Sequence, residues 1–351
     1  MADTTVLRDL LTQRTKVGTL FEKMPDDWVR CFACGHRCKI QPGREGICKV
    51  RFNRDGDLHV PTGYVGSLQL DPVEKKPFFH AYPGSTALSF GMLGCDYHCG
   101  YCQNWITSQA LRDPMADSLP ERMSPEEFVE LAIRRGAKIV TSTYNEPLIT
   151  SEWAMEIFSL AKKAGLVTSY VSNGNATSEV LDFIQPHIDL YKIDLKGFRQ
   201  KSYSQLGGVL KNVLETIRMI HEREIWLEVV TLVIPQFNDS DSELREIAEF
   251  LTSVSPDIPW HVTAFHRDYK MTDRENTDSV TLLRAREIGL AAGLHYVYAG
   301  NRPGDVAGSE NTYCPSCKTT LVERWGFRIL SNKIVNGGCF KCHTQIAGRW
   351  H

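Results

Sequence analysis

The sequence predicts an α/β protein, an incomplete six-stranded (β/α) barrel with a small cysteine-rich module at each end. Three observations carry this expectation. Between residues 87 and 299, short β-branched runs alternate with longer amphipathic stretches at the cadence of successive βα units. The eleven cysteines are grouped: four precede this series, three follow its first strand and four lie beyond it. Finally, 42% hydrophobic residues over 351 positions suffice for one large core with appendages.

The expected strands are 87–92, 137–144, 167–172, 190–195, 226–234 and 260–265, with 295–299 as a candidate seventh. Helices fill the gaps. Ser124-Pro125-Glu126-Glu127 reads as N-cap, first-turn proline and capping-box glutamate of a helix that stops near Gly136. Others are expected at about 151–165, 178–187, 209–224, 240–254 and 277–293. Parallel strands joined by helices put their carboxyl ends on one face, so the residues after each strand converge. A doubly wound sheet is the alternative. The expected domains are a cysteine-rich module with lead-in at 1–80, the barrel at 81–308 and a ribbon-like module at 309–351.

With 40 basic and 42 acidic residues, formal net charge -2, overall charge gives no case for a nucleic-acid or membrane-surface protein. The first residues carry Arg8, Asp9 and Arg14 rather than an apolar targeting stretch, and no run of about 18 apolar residues occurs. A cytoplasmic protein without a membrane partner is expected. In that compartment, grouped cysteines read as metal ligands rather than disulfides.

Cys95-x3-Cys99-x2-Cys102, followed by Gln103-Asn104, directly follows the first expected strand. Three thiolates on a four-iron cubane leave one iron open to a small ligand, as a catalytic metal site requires. Three core cysteines, or a zinc site completed by His98, are the plainer alternatives.

This spacing, after a strand and before a βα series, resembles the radical S-adenosylmethionine (SAM) superfamily. Asp194-Leu195-Lys196, Leu206-Gly207-Gly208-Val209, Leu214-Glu215 and Val233-Ile234-Pro235 with Asn238-Asp239 resemble its glycyl-radical activating enzymes, of which the pyruvate formate-lyase activase is the type. Closer still is the radical SAM member of the AmmeMemoRadiSam system. Cys31-x2-Cys34-x3-Cys38-x9-Cys48, the run Asp71 to Pro77, Thr143 to Pro147, Phe265 to Tyr269, Gly300 to Gly304 and the terminal cysteine pairs carry that likeness, over residues 31–350.

The resemblance implies a radical SAM barrel with a 4Fe-4S cluster on Cys95, Cys99 and Cys102, and SAM as cofactor. One electron would cleave SAM to methionine and a 5'-deoxyadenosyl radical that abstracts hydrogen. The class of reaction would be that of an activating-enzyme-like oxidoreductase, or protein or RNA modification. An electron donor such as flavodoxin or ferredoxin is implied, and the system's name implies partners of the AMMECR and Memo types. Residue by residue, Glu146 stands where the family's acid meets the SAM ammonium, although Tyr144 and Asn145 replace two glycines; as an alternative, Glu146 caps a helix beginning at Pro147. Ser172 and Asn173 fall at the ribose position, Asp194 and Lys196 at the methionyl carboxylate, and His266 at a histidine near SAM. A glycine turn, a surface ion pair and a structural histidine are the respective alternatives.

Cys314-x2-Cys317-x21-Cys339-x2-Cys342 fits a zinc ribbon, the metal folding a segment too small to support itself. Cys339 to His343 also matches a c-type haem attachment pattern, which the paired Cys314 and Cys317 make unnecessary. For Cys31, Cys34, Cys38 and Cys48 the spacing admits zinc or an auxiliary cluster. If the metal is zinc, this module is expected to set the segment 71–77 over the barrel mouth. Two functions follow: a radical-generating enzyme, or a non-catalytic metal-binding adaptor that binds a partner through its ribbon-like modules. An adaptor needs no three-cysteine site with an open iron, and the enzyme is favoured.

Overall fold

The computed structural model describes residues 4–306 and 308–350. Its centre is an eight-stranded sheet. The strands are β1 (Ser67–Pro72), β2 (Thr86–Gly91), β3 (Ile139–Ser142), β4 (Val167–Ser172), β5 (Leu190–Asp194), β6 (Trp226–Val233), β7 (Trp260–Ala264) and β8 (Val297–Gly300). They lie side by side in chain order. Strands β2 to β8 are all parallel, while β1 runs antiparallel against β2. Unbroken order excludes the doubly wound alternative, which needs a point where strand order reverses. Among the described residues no ladder joins β8 to β1, so the barrel is incomplete.

The expected parallel strands all form, and the candidate seventh becomes β8. Strand β1 is the addition. Between the strands run α1 (Pro125–Arg134), α2 (Ser151–Lys163), α3 (Ser178–Ile184), α4 (Gln200–Leu206), α5 (Leu210–Glu222), α6 (Asp241–Val254) and α7 (Ser279–Ala291). The capping box of α1 is present: Ser124 Oγ accepts from the Glu127 N–H at 3.2 Å, and Glu127 Oε2 accepts from the Ser124 N–H at 2.7 Å. Helix α4 was not expected; it ends at Gly207, held at φ 81° in the left-handed region that favours glycine.

At the amino ends of the strands, Val73, Phe78 and Ala81 pack on Ala87, Ile139, Val167 and Leu190 and plug the barrel. This corrects the expectation for the segment 71–77. Pro72 pairs with Thr86, the first residue of β2, so the segment lies at the closed end rather than over the mouth.

The two cysteine-rich modules dock at different places. In the amino-terminal one, Val29–Cys31 pairs with Lys39–Ile40. Buried Arg51 then reaches α2, donating to Glu152 Oε1 and Oε2 at 2.7 Å each and to the Ile149 carbonyl at 3.0 Å. The carboxyl-terminal module, a hairpin of Thr320–Trp325 and Arg328–Asn332, shares a core with Phe79, Tyr296 and Tyr298. Buried Glu228 of β6 supports that contact by accepting from the N–H groups of Phe79 (2.9 Å) and His80 (2.8 Å), from Trp226 Nε1 (3.0 Å) and from His261 Nε2 (2.7 Å). Arg349 closes it, accepting from the Tyr82 N–H and donating its own N–H to the His80 carbonyl, both at 2.7 Å. No described helix is long and apolar enough to cross a membrane.

Candidate active site

Beyond β2 the chain turns through Met92, Leu93 and Gly94 into the loop of Cys95, Cys99 and Cys102. Gly94 sits at φ 87°, and a Cβ there would stand 2.8 Å from the Cys48 carbonyl oxygen. The loop is fixed from several sides. The His98 N–H donates to the Leu206 carbonyl at 2.9 Å, and the N–H groups of Lys270 and Met271 both donate to the Gly100 carbonyl at 2.9 Å. Arg112 donates to the carbonyls of Tyr97 (3.1 Å) and Cys95 (2.8 Å). Leu206-Gly207-Gly208 is the seat beneath: a Cβ on Gly208 would meet the Tyr97 ring at 2.4 Å, so only glycine lets the loop down.

Cys99 is buried, and Cys95 and Cys102 are partly so. Burial, and then the Asp96 carboxylate, push the Cys95 thiol well up; burial pushes Cys99 up to about 12 against the pull of Lys196. Such thiols give up their protons on taking a metal. The three do not contract into the knot that a single ion gathers, for no group including them has its donor atoms within 4.8 Å among the described residues. An all-sulfur donor set of this width, one ligand short, suits a multi-iron cluster with one open iron.

Glu146 follows β3 and is buried. Its Oε1 accepts from Ser172 Oγ at 2.7 Å and from the Leu148 N–H at 3.1 Å, and its Oε2 accepts from the Asn173 N–H at 2.7 Å. Glu146 caps the 3-10 turn Pro147–Thr150, as the alternative reading expected, and stands among converging strand ends. Burial first, then the Asp96 charge, push its carboxyl up. Asn173 and Asn175 donate to the two oxygens of Asp96 at 2.7 and 2.8 Å. These contacts bring Glu146, Ser172 and Asn173 together beside Cys95.

Asp194 and Lys196 end β5 as an ion pair at 3.3 Å, with Lys192 on the other Asp194 oxygen. Although burial opposes it, Lys192 and Lys196 hold the Asp194 carboxyl down at about 2. His266 is exposed, with Nε2 2.9 Å from Gln103 Nε2 next to Cys102. Sequence reasoning missed Asp96, Asn175, Lys192 and Arg112. Only Asp96 carried a signal, an acid lodged between two ligand cysteines; the others have no local pattern.

The sulfurs of Cys314, Cys317, Cys339 and Cys342 all lie within 4.8 Å of one another, with pairs at 3.5 and 3.7 Å. Four thiolates about 2.3 Å from one zinc ion stand about 3.8 Å apart in a tetrahedron, so this set fits such an ion.

A fold of parallel strands with this loop at their carboxyl ends defines a class, and comparison with known proteins agrees. The model of the radical SAM superfamily matches residues 91–251. An uncharacterized protein of Methanocaldococcus jannaschii is 38% identical over 331 residues, 93% of this chain and 97% of the relative. The pyruvate formate-lyase-activating enzyme of Listeria monocytogenes is 24% identical over 229 residues, 60% of this chain and 88% of that enzyme. In fold alone, the chain resembles the crystal structure of a radical SAM methyltransferase from Sphaerobacter thermophilus (TM-score 0.50, 14% identity, 89% of this chain and 85% of that one). The chain belongs to the radical SAM superfamily and is an enzyme of that type, a class that implies SAM and an iron–sulfur cluster as cofactors.

Proposed function

We propose that the protein cleaves SAM reductively at a 4Fe-4S cluster on Cys95, Cys99 and Cys102 and passes the resulting radical to a further, macromolecular substrate. The observation that carries this reading is the three-cysteine loop at the carboxyl end of β2, open by one ligand, with Glu146, Ser172, Asn173 and Lys196 delivered beside it by β3, β4 and β5. Cys95, Cys99 and Cys102 would hold the cluster, which would supply the one electron for breaking the C5'–S bond of SAM to methionine and a 5'-deoxyadenosyl radical.

The chain's own groups bind and shield. Glu146, with three donors already on its carboxylate, takes the SAM ammonium; Lys196, anchored by Asp194, meets the methionyl carboxylate; Ser172 and Asn173 face the ribose. Buried Tyr97, Tyr101 and Tyr203 keep water from the radical, and His266 with Gln103 forms the exposed rim. A low-potential protein of the flavodoxin or ferredoxin class supplies the electron. The activase relatives support a protein substrate. The adaptor alternative leaves the three-cysteine loop without a purpose.

Anaerobic reconstitution with iron and sulfide, followed by reduction in the presence of SAM, is the test. The expected product is 5'-deoxyadenosine, abolished by alanine at Cys95, Cys99 or Cys102. A wild-type protein with a well-formed cluster that never yields it rejects the reading. The same reading assigns one zinc ion to Cys314, Cys317, Cys339 and Cys342, and iron found at that site would overturn the assignment.

A further inference from the structure

Cys31, Cys34, Cys38 and Cys48 take no part in the reaction above, yet they occupy one neighbourhood. The Cys31 N–H donates to the Cys38 carbonyl at 2.9 Å, and a Cβ on Gly46 would lie 3.7 Å from Cys38 Sγ. Cys31, Cys34 and Cys48 are buried and Cys38 is partly exposed. Their sulfurs nevertheless stay apart. Around one zinc ion, thiolates stand about 3.8 Å from each other, and the carboxyl-terminal set has drawn in to that spacing. No three of the amino-terminal four lie within 4.8 Å of one another among the described residues. Four cysteines, all sulfur, set wider than the span of one ion yet gathered in one neighbourhood, match a body that brings its own sulfides and gives each thiolate a separate iron.

The surroundings point the same way. Gly94, the residue before Cys95, faces the Cys48 carbonyl oxygen so closely that a Cβ there would stand 2.8 Å from it. Arg112 links the two loops, donating through Nη2 to the carbonyls of both Cys95 and Ile47. His36, between Cys34 and Cys38, turns a buried and unpartnered Nε2 toward Asp96 Oδ2 at 4.0 Å. A zinc module with a purely structural role has no need to lie against the catalytic loop. A redox centre does, because electron transfer weakens steeply with distance.

We infer that Cys31, Cys34, Cys38 and Cys48 hold a second iron–sulfur cluster of the 4Fe-4S class, packed against the Cys95 loop as its electron-exchange partner. One electron from a low-potential donor protein reduces this cluster and passes to the neighbouring site, where breaking one C5'–S bond of SAM consumes it; the donor is oxidised by one electron per SAM. The relay rests on the reading under Proposed function, whereas the metal site itself does not.

Metal analysis and native mass spectrometry of the anaerobically isolated full chain test it. About eight irons and one zinc per wild-type chain are expected, and about four irons with one zinc in the Cys95→Ala/Cys99→Ala/Cys102→Ala variant. That variant, reduced, should show a 4Fe-4S electron paramagnetic resonance signal, and the reduced wild type a signal broadened by coupling between two clusters. About four irons and two zincs in the wild type, or an iron-free triple variant, overturns the inference. Should the variant fold poorly, the wild-type count decides alone. A protein that retains about four irons in the triple variant but never cleaves SAM would defeat the catalytic reading and leave the second site standing.

Discussion

The amino-terminal cysteines pack against the loop that carries Cys95, at the carboxyl ends of the strands, whereas the carboxyl-terminal cysteines pack at the amino ends of β6, β7 and β8. A buried charge supports each module: Arg51 of the amino-terminal one binds Glu152 of α2, and Glu228 of β6 holds the Phe79 and His80 amides of the segment to which Arg324 of the carboxyl-terminal one donates, at the Phe79 carbonyl. The sulfurs differ as the positions do, spread in the module beside the chemistry and drawn together in the module remote from it. Four cysteines in sequence therefore say little about purpose; what lies next to them says more.

The largest effect should come from separating the modules by their metals. Cys317→Ala should lose the zinc and unfold the hairpin, since a structural zinc contributes on the order of 10 kcal/mol to a small module. Formation of 5'-deoxyadenosine at low temperature should survive within a few-fold. Its disappearance in a variant whose barrel still shows native circular dichroism would mean that the ribbon reaches the active site after all.

Next come the two anchors. Arg51→Met leaves the Glu152 charge buried without its partner, and Glu228→Leu strands two amides, an indole and an imidazole; each should cost about 3–5 kcal/mol in calorimetry. Hydrogen exchange should rise around residues 29–50 in the first and 312–346 in the second. Equal exchange in both modules would show that they are not independent attachments.

A pH effect is expected at the carboxyl-terminal junction. His80 is fully buried, and desolvation lowers it from 6.5 to about 4. The unfolded chain takes up a proton below 6.5 that the folded chain refuses until about 4, so stability present above 6.5 is lost as pH falls through that window, by a few kcal/mol at most. Denaturant titrations of His80→Gln should show a flatter slope across the same window. The smallest effect is expected at Arg37, whose two hydrogen bonds to Glu179, at 2.7 Å each, are exposed. Arg37→Ala should cost no more than about 1 kcal/mol, in contrast with Arg51 in the same module.

What could be read from the sequence was what local chemistry specifies. Ser124, Pro125 and Glu127 announce α1 because the cap is made within four residues, and the β-branched runs announce β2 to β8 because those strands are buried on both faces. Helix α4 is polar along Gln200 to Gln205 and shows no stripe; its only buried anchors are Ser202, Tyr203 and Leu206. Strand β1 carries Leu68 and Leu70 on a half-exposed edge, and nothing local says that it returns antiparallel to β2. At the site, the cysteine group was legible from its spacing, whereas Glu146 was singled out only through the family resemblance. Asp96 and Asn175, 79 residues apart, meet only because β2 and β4 end on the same face.

The tie between Arg349 and Tyr82 has a bearing on biosynthesis. His80 and Ala347, joined in the same junction, are 267 residues apart. Strands β2 to β8 can assemble while the polypeptide is still emerging from the ribosome, since domains form from the amino terminus onward. The last contacts at the barrel floor cannot form until residue 349 has cleared the exit tunnel. Until then the floor beneath the strands lacks its outer cover, and the nascent barrel matures in two stages, walls first and base later.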